Sequence, residues 1–397
     1  MGNFIQSISD RVSVIASDRL WLEDAALQQT KITSNLHGMV RVVGLPDLHP
    51  GRGYPVGAAF FSVGRFYPAL VGNDIGCGMA LWQTDLLAGK VKLDKLDKQI
   101  GNLDGFIDDD EWAVLAAGDA SLAERRAALA CAMAQAGLDA APLRSLGTIG
   151  RGNHFAELQL IEQVACEDTA AHAGLSRKHV QLLVHSGSRG LGQAVLAAHV
   201  DAYGHAGLED GGMPAQAYLR QHAIAVQFAE LNRALIGARI LHRLRCHGEL
   251  VLELNHNTVT PAEIDGQQGW LHRKGATPSD QGLVMLPGSR DDYSYLLQPL
   301  AQHGALSLHS LAHGAGRKWQ RSECKGRLFS IATPAQLSRT ALGGRVICND
   351  RALIYEEAAQ AYKNVDSVVA CLLGAGLVRV VYRSRPLLTY KTRGECC

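Results

Sequence analysis

The chain has 397 residues, of which 47% are apolar, and its formal net charge is +1 at pH 7. Such a length supplies apolar material for a large core, and the balanced charge excludes a global basic field, so any contact with nucleic acid must come from a local patch. The sequence lacks an apolar run of the roughly 18 residues that cross a bilayer, a signal-peptide pattern and a closely spaced cysteine framework, so we expect a cytoplasmic protein with no membrane partner.

Short apolar runs that lead into glycine turns recur along the chain. Strands are predicted for residues 39–45, 58–63, 67–71, 180–184, 250–254 and 377–382. The first strand is expected to deliver Asp47 and His49 to a turn at residues 46–51, and the third leads into Gly72-Asn-Asp-Ile-Gly-Cys-Gly78. Polar side chains placed at strand ends in this way are candidates for a shared site.

Helical patterns separate these strands. Residues 121–124 (Ser-Leu-Ala-Glu) match a capping box, which predicts an alanine-rich helix that ends at Gly137. Apolar residues at helical spacing predict a long helix from Pro214 to about Cys246. No internal repeat or linker marks a boundary, so we expect an α+β fold in a single mixed α/β domain over residues 1–397.

Side chains with metal-ligand chemistry lie in or beside the turns: Asp74, Cys77, His154, His185 and His256. Imidazole, carboxylate and thiolate together suit a first-row divalent metal, and a thiolate can bridge two ions. A single histidine beside a turn more often satisfies local backbone, but the five together favour a metal site. Because thiolate is a soft ligand, this chemistry ranks zinc or iron above manganese.

Glycine turns with a nearby cation form a second group, at residues 147–153, 186–190, 287–290 and 314–317. Glycine exposes backbone N–H groups and arginine grips phosphate oxygens in a bidentate manner, so these turns are candidates for phosphate binding. None has the glycine order of a dinucleotide-binding fold or of a P-loop. Ordinary turn chemistry would explain any one of them alone.

His313 lies in the last of these turns, with Arg317 four residues further on. Neutral imidazole can attack phosphorus and form a covalent intermediate. A carboxylate on its other nitrogen would fix the tautomer, and Asp47 is a candidate for that role. On residue chemistry alone, a sixth metal ligand or a helix-capping histidine is an equal alternative.

The remaining polar candidates carry weaker patterns. Asn153 and Glu157 bracket His154 at a spacing that suits reading of a base or ribose beside a metal-bound histidine. Lys391 could reach a guanine carbonyl or a phosphate, although a lysine near a C-terminus is usually solvated. The terminal pair Cys396-Cys397 lacks the context of a lipidation motif and is expected to be a frayed tail.

Eight ordered motifs between about residue 40 and Lys391 make the sequence resemble the RtcB family of GTP-dependent RNA-splicing ligases. They are Pro-Asp-Leu-His-Pro-Gly, Asn-Asp-Ile-Gly-Cys-Gly, Gly-Arg-Gly-Asn-His-Phe-Ala-Glu, His-Ser-Gly-Ser-Arg-Gly, His-Asn, Pro-Gly-Ser, His-Gly-Ala-Gly-Arg and Tyr-Lys-Asn-Val-Asp. The resemblance implies central β-sheets surrounded by helices. It also implies an enzyme that uses GTP and two manganese ions to join RNA 3′-phosphate or 2′,3′-cyclic phosphate ends to 5′-hydroxyl ends.

The resemblance also implies roles for individual residues. Asp74, Cys77 and His154 would hold one manganese ion, and Cys77, His185 and His256 the second. His313, oriented by Asp47, would take GMP from GTP as a phosphoramidate, pass it to the RNA 3′-phosphate, and the 5′-hydroxyl would displace it. The implied guanylate-binding positions are Asn153, His154, Phe155, Ala156, Glu157, His256, Asn257, Pro287, Gly288, Ser289, Arg290, Ser294, His313, Gly314, Ala315, Gly316 and Lys391.

Departures from the family pattern point to the branch found beside release factor H and proposed to mend ribosomal RNA. Residues 92–143 are compact, Arg290 stands where methionine is expected, and several residues follow Lys391. The implied partners are broken tRNA or ribosomal RNA, a release factor H-like protein or the ribosome, and an archease-like helper.

Arg189, Arg317 and Lys318 are expected to face RNA phosphates. Two alternatives to a ligase remain. One is a metal-dependent phosphoesterase acting on RNA ends, in which His313 would protonate a leaving group. The other is a non-catalytic RNA-binding or ribosome-binding factor on the same scaffold.

Overall fold

The computed structural model describes residues 4–394, so the predicted frayed tail at Cys396-Cys397 lies outside the described residues. The strands are β1 (Ile5–Ser9), β2 (Val12–Ile15), β3 (Met39–His49), β4 (Val56–Ser62), β5 (Arg65–Phe66), β6 (Gly78–Leu87), β7 (Phe155–Val164), β8 (His179–Ser186), β9 (Leu208–Glu209), β10 (Gly248–Asn255), β11 (Asn257–Ile264), β12 (Gln267–Lys274), β13 (Ala276–Pro278), β14 (Val284–Pro287), β15 (Ser294–Pro299), β16 (Ser310–Ala312), β17 (Arg345–Cys348) and β18 (Val378–Thr392).

The α-helices are α1 (Asp24–Ser34), α2 (Pro68–Val71), α3 (Leu93–Ile100), α4 (Asp109–Gly118), α5 (Ala120–Gln135), α6 (Glu167–His172), α7 (Arg189–Tyr203), α8 (Met213–Leu244), α9 (Arg321–Leu328), α10 (Pro334–Leu337), α11 (Leu353–Glu356) and α12 (Val365–Gly374). Short 3₁₀ helices span Ala88–Lys90, Ala141–Ser145, Ala301–Ser307 and Ala359–Ala361. Within residues 4–394, no helix is both long and apolar enough to cross a membrane.

One sheet of the described chain has six strands in the order β1-β2-β3-β4-β12-β11. Strand β3 confirms the strand predicted at residues 39–45 but continues to His49, so the expected turn at residues 46–51 is wrong for residues 46–49. Asp47 and His49 lie within the strand. The register of β3 against β4 is interrupted between Gly44 and His49. That interruption accommodates Pro46, which has no N–H to donate to a continuous ladder.

The larger sheet follows the order β10-β6-β8-β7-β18-β15-β14, with β17 added beside β18, which makes eight strands among the described residues. Its pairs are antiparallel apart from β17 with β18. Strands β8, β10 and β18 confirm the predictions for residues 180–184, 250–254 and 377–382. Largely antiparallel sheets packed with helices confirm the predicted α+β class.

The helix predictions hold in their positions and differ in detail. Helix α8 confirms the long helix from Pro214, and α5 is followed by Gly137 at φ +66° as predicted. The capping box was wrong, because Asp119 caps α5 by accepting the Ser121 N–H at 3.0 Å.

The strand predicted at residues 67–71 was also wrong. Pro68 occupies the first turn of α2, where its fixed φ suits a helix start.

Helix α8 anchors the loops that carry the candidate ligands. Arg233, which is fully buried, pairs with Glu253 at 2.7 Å and donates to the carbonyls of Gly76 and Ser186, each at 2.8 Å. Its neighbour Asn232 donates to Ser186 Oγ at 3.0 Å. One helix therefore holds the residues just before Cys77 and just after His185 in place.

Candidate metal centre and adjoining cavity

The candidate metal ligands meet around the sulfur of Cys77. Its Sγ lies 3.4 Å from Nε2 of His154 and 3.2 Å from Nε2 of His185. Asp74 Oδ2 lies 2.7 Å from His154 Nε2 on one side, and His256 Nε2 lies 3.3 Å from His185 Nε2 on the other. The result is two three-residue groups that share one sulfur, each with ligand atoms within 4.8 Å of one another.

Sheet order produces this convergence. Cys77 immediately precedes β6, which pairs with β8 so that Met79 faces His185. His154 immediately precedes β7, whose Phe155 also faces His185. The Cys77 carbonyl accepts the backbone N–H of His256 at 2.7 Å, which holds the end of β10 against the start of β6.

Gly187 allows the loop after His185 to close on Asp74. A Cβ atom added at Gly187 would lie 2.1 Å from Asp74 Oδ1, well inside contact distance. Any other residue at this position would displace the carboxylate from the centre. The glycine of the His-Ser-Gly-Ser-Arg-Gly motif therefore has a steric role as well as the predicted turn role.

Burial sets the electrostatics of the centre. It lowers the pKa of His185 and of His256 well below the ordinary histidine value, and neighbouring imidazoles add to the effect. Burial also raises the pKa of the Cys77 thiol well above its usual range, with the nearby Asp74 carboxylate adding to the rise. Burial would raise the pKa of Asp74 as well, but His154 holds that pKa below its ordinary value.

The donor set fits a divalent cation. Neutral imidazole nitrogens that face each other repel unless a proton or a cation lies between them, and bound metal displaces a thiol proton. Among the described residues, Nδ1 of His154 and of His256 are buried without a hydrogen-bond partner. Thiolate, imidazole and carboxylate suit a first-row ion, and the geometry by itself does not select manganese.

A cavity of about 690 Å³ adjoins the centre, within the usual size range of small-molecule sites. Many of the sequence-predicted guanylate positions line it: Asn153, Phe155, Glu157, Pro287, Gly288, Ser289, Arg290, His313, Gly314, Ala315, Gly316 and Lys391. His185 also contributes to the lining. Residues from three separate loops and four strands thus face one space.

Other predicted guanylate positions lie behind this lining. Ala156 is buried in the core on the opposite face of β7 from Phe155 and Glu157, as strand alternation requires. The Asn257 side chain donates to the Asp74 carbonyl at 3.0 Å and accepts from the Gly275 N–H at 2.8 Å. Ser294 Oγ accepts from Gln159 at 3.0 Å. Their roles toward a nucleotide stay predictions.

His313 and Asp47 form a close pair at the cavity wall. Asp47 is fully buried, and its Oδ2 accepts from Nδ1 of His313 at 2.6 Å and from the His313 backbone N–H at 3.1 Å. His313 follows strand β16, so the helix-capping alternative is wrong. Gly316, at φ +74°, lets the chain pass so close that a Cβ there would lie 2.3 Å from the Asp47 carbonyl oxygen.

A buried ionic cluster that the sequence did not reveal borders the same cavity. Glu357 pairs with Arg317 at 3.2 Å, Arg321 at 2.5 Å and Lys391 at 3.6 Å, and Tyr362 donates to it at 2.5 Å. Burial would raise the pKa of Glu357, but Lys391, Arg321 and Arg317 lower it to about 2. Because Glu357 lies in no recognisable motif, only long-range contacts could have found it.

These contacts bear on two expectations. The Arg317 guanidinium faces Glu357 and donates to the Glu356 carbonyl at 2.8 Å, so it belongs to this cluster at the cavity lining, and its contact with RNA phosphates stays a prediction. Lys391 is only 3% exposed and donates to the Gly152 carbonyl at 2.8 Å, so the solvated alternative for this lysine is wrong.

Three further predicted residues have defined surroundings. Glu157 is buried and accepts from Gln159 at 2.8 Å and from Thr389 at 2.5 Å, and burial raises its pKa to about 7. Arg290 is buried and donates to the Ile354 carbonyl at 2.7 Å. Arg189 packs against Gly150, and its charge contributes to the low pKa of Asp74.

The fold and the site define an α+β protein whose donor set, centred on the sulfur of Cys77, is suited to divalent ions and adjoins a nucleotide-sized cavity. A family profile described as tRNA-splicing ligase RtcB matches residues 29–108 and 117–392. The chain is 56% identical over 395 residues to an Escherichia coli protein named RNA-splicing ligase RtcB2, covering 99% of both chains. It is 32% identical to the tRNA-splicing ligase RtcB of Nanoarchaeum equitans, covering 96% of this chain and 95% of that one. The chain belongs to the RtcB family.

Proposed function

We propose that this protein is an RNA ligase that joins RNA 3′-phosphate or 2′,3′-cyclic phosphate ends to 5′-hydroxyl ends through GMP carried on His313. The observation that carries the proposal is the His313–Asp47 pair, with Nδ1 of His313 bonded to a buried carboxylate at 2.6 Å. This bond leaves Nε2 with its lone pair at the wall of the cavity that the metal-ligand groups border. The names of the relatives support the same class of reaction.

In the first step, Nε2 of His313 attacks the α-phosphorus of GTP. A nitrogen–phosphorus bond forms, the bond to the β-phosphate oxygen breaks, and pyrophosphate leaves. Asp47 is a positioning residue: it keeps the proton on Nδ1 and stabilises the positive charge that develops on the ring. Because Asp47 is held inside β3 and accepts two hydrogen bonds from His313, the imidazole has little freedom to turn away.

The groups Asp74-Cys77-His154 and Cys77-His185-His256 would hold two manganese ions. Such ions would supply positive charge to the triphosphate and lower the barrier to attack on phosphorus. The donor chemistry supports a divalent metal, whereas manganese in particular rests on the family resemblance. Cys77 has the central part in this arrangement, since its sulfur belongs to both groups.

The guanine would bind at the end of the cavity that carries Glu157 and Lys391. Both side chains are buried and already fixed by neighbours, Glu157 by Gln159 and Thr389 and Lys391 by the Gly152 carbonyl. A fixed acceptor and a fixed donor suit the N–H edge and the carbonyl of guanine. The glycine turns at residues 287–290 and 314–316 would contact the ribose and phosphate.

In the later steps, GMP passes from His313 to the RNA 3′-phosphate and is then displaced by the 5′-hydroxyl. Lys318 is exposed at the cavity rim and would meet RNA phosphates, with Arg189 near the metal centre. Arg290 and the compact region at residues 92–143 support a role in repair of broken RNA, such as ribosomal RNA. A release factor H-like protein, the ribosome or an archease-like helper would then be the partner.

Covalent labelling tests the first step. Incubation with manganese and α-labelled GTP should leave acid-labile, alkali-stable label on the protein, and His313→Ala should abolish it. His303→Ala, at an exposed histidine outside the cavity lining, is the matched control and should keep the label. An unlabelled protein with a loaded metal site would instead favour the phosphoesterase, in which His313 protonates a leaving group.

A joining assay separates the ligase from a binding factor. Purified protein, GTP and manganese should convert an RNA with a 3′-phosphate and an RNA with a 5′-hydroxyl into one strand. GMP transfer without any joined product would revive the non-catalytic RNA-binding alternative.

A further inference from the structure

His49 is a second histidine held by Asp47. Its Nδ1 lies 2.8 Å from the Asp47 main-chain carbonyl oxygen, and its ring lines the cavity. His313 is bonded to the carboxylate of the same aspartate. One buried residue in β3 therefore holds two imidazoles, and both border the same space.

The contact with Asp47 fixes the tautomer of His49. A carbonyl oxygen can only accept, so Nδ1 carries the hydrogen and Nε2 carries the lone pair. Burial lowers the pKa of His49 to about 4, although the hydrogen bond to the Asp47 carbonyl opposes this shift. The ring is thus a neutral acceptor at neutral pH, with its outer nitrogen free to meet a hydroxyl group.

The proposed function requires a group that accepts the proton of the RNA 5′-hydroxyl. When the RNA 5′-hydroxyl displaces GMP, its proton must go to a base as the new bond forms. Lys363, which also lies close to Asp47, is outside the cavity lining and donates to the carbonyls of Pro46 and Leu48 at 3.0 and 2.8 Å. Glu157 already accepts two hydrogen bonds.

The wall beside His49 suits an incoming RNA strand. Pro50, Gly51 and Arg52 follow it directly and line the cavity, and the Arg52 side chain is exposed. An arginine three residues from a histidine acceptor can bind a phosphate while the terminal hydroxyl approaches the imidazole. Glu157 and Lys391, where the guanine is proposed to bind, lie on other strands of the lining.

We propose that His49 is a catalytic residue of the joining step, whose Nε2 takes the proton of the RNA 5′-hydroxyl. The oxygen–hydrogen bond breaks, the 5′-oxygen bonds to the RNA 3′-phosphorus, and the bond from that phosphorus to GMP breaks. GMP leaves with the bonding pair, and the proton on Nε2 then passes to solvent. This inference rests on the proposed ligase function.

Substitution of His49 by asparagine separates proton transfer from support of Asp47. The asparagine Nδ2 can replace Nδ1 as donor to the Asp47 carbonyl, but the variant has no equivalent of Nε2. Three rates are measured: GMP transfer to the protein, GMP transfer to a 3′-phosphate RNA, and joining of an RNA already activated with GMP to a 5′-hydroxyl RNA. We expect the joining rate of His49→Asn to fall by about 100- to 10,000-fold. The first two rates should fall far less.

The other outcomes overturn the inference. Wild-type joining by His49→Asn would mean that His49 serves only through its hydrogen bond to Asp47, and equal loss of all three rates would mean a structural role. With pre-activated RNA, a larger loss in His313→Ala than in His49→Asn would assign the base to His313. Thermal unfolding and a His49→Gln variant control for folding. A wild-type protein that neither takes GMP nor joins RNA would instead overturn the proposed function.

Discussion

Two buried clusters border the cavity, and they differ in how their polar groups are paired. Around Cys77 the groups are of one kind: imidazoles, a thiol and a carboxylate whose lone pairs point at one another. Around Glu357 the groups are complementary, because cations and a phenol surround one carboxylate. The first cluster has the donor chemistry of a cation site, whereas the second is already satisfied and supports the cavity wall.

The pKa shifts express the same difference. At His185 and His256, burial dominates and lowers the pKa well below the ordinary value, so the rings stay neutral and offer lone pairs. At Glu357, burial is outweighed by Lys391 and the arginines, and the pKa falls to about 2, so the carboxylate stays charged. Neutral rings that offer lone pairs therefore indicate a ligand-binding site, while paired charges indicate a structural role.

The largest effect should come from removing the shared sulfur. Cys77→Ser should lose both metal ions and all GMP transfer, because a hydroxyl stays protonated and is a poor bridging anion at neutral pH. Metal affinity should fall by more than the roughly 10- to 100-fold typical of losing an outer partner of a ligand. Metal analysis of the purified protein and calorimetric titration measure this. Cys131→Ser, at an exposed position, is the control, and equal metal content in both variants would remove Cys77 from the site.

Disruption of the Glu357 cluster should lower the stability of the fold. Glu357→Gln leaves buried cations without their counter-charge. We expect the free energy of unfolding to fall by about 3 kcal/mol. This is the lower end of the usual range for breaking a buried ion pair, because Arg321 is partly exposed. Urea unfolding gives the value. Glu323→Gln removes the exposed partner of Arg327 and should cost only about 0.3–0.5 kcal/mol. Similar costs for the two variants would contradict a structural role for Glu357.

Acid should weaken the same cluster. The folded pKa of Glu357 is depressed from 4.5 to about 2, so its contribution is fully present above about pH 4.5 and is lost as the pH falls toward 2. At 1.36 kcal/mol for each pH unit, the maximum is about 3 kcal/mol. The stability difference between the wild type and Glu357→Gln should therefore shrink between about pH 4.5 and about pH 3. A stability difference that does not change with pH would contradict the depressed pKa of Glu357.

The smallest effects should come from cations outside the two clusters. Lys318→Gln and Arg189→Gln should weaken RNA binding and reduce the salt dependence of that binding by about one unit of slope each. GMP transfer should suffer less in Lys318→Gln, whereas Arg189→Gln also removes a positive charge that lowers the pKa of the proposed ligand Asp74. Arg317→Gln should differ from both by lowering stability, because its guanidinium is bound to Glu357. Equal damage to RNA binding and GMP transfer would argue against this division.

Local sequence patterns predicted the strands that matter most for the site. Alternating and apolar runs located β3, β8 and β10, and the residues that follow or end them include His185 and His256. The pattern failed at residues 67–71, where an apolar run contains a proline that starts a helix. It failed again at Asp47, because strand β3 continues past a proline through an interruption of its register.

The sequence by itself determined which chemical groups are present, in which order, and that most of them stand beside strands and glycine turns. Only the tertiary structure decided which groups meet. Asp47 and His313 are 266 positions apart, and Lys391 and Gly152 are 239 apart. Sheet order and register bring such residues together, and neither is encoded in a local period. For the same reason, the partners of Arg317 became apparent only in the folded chain.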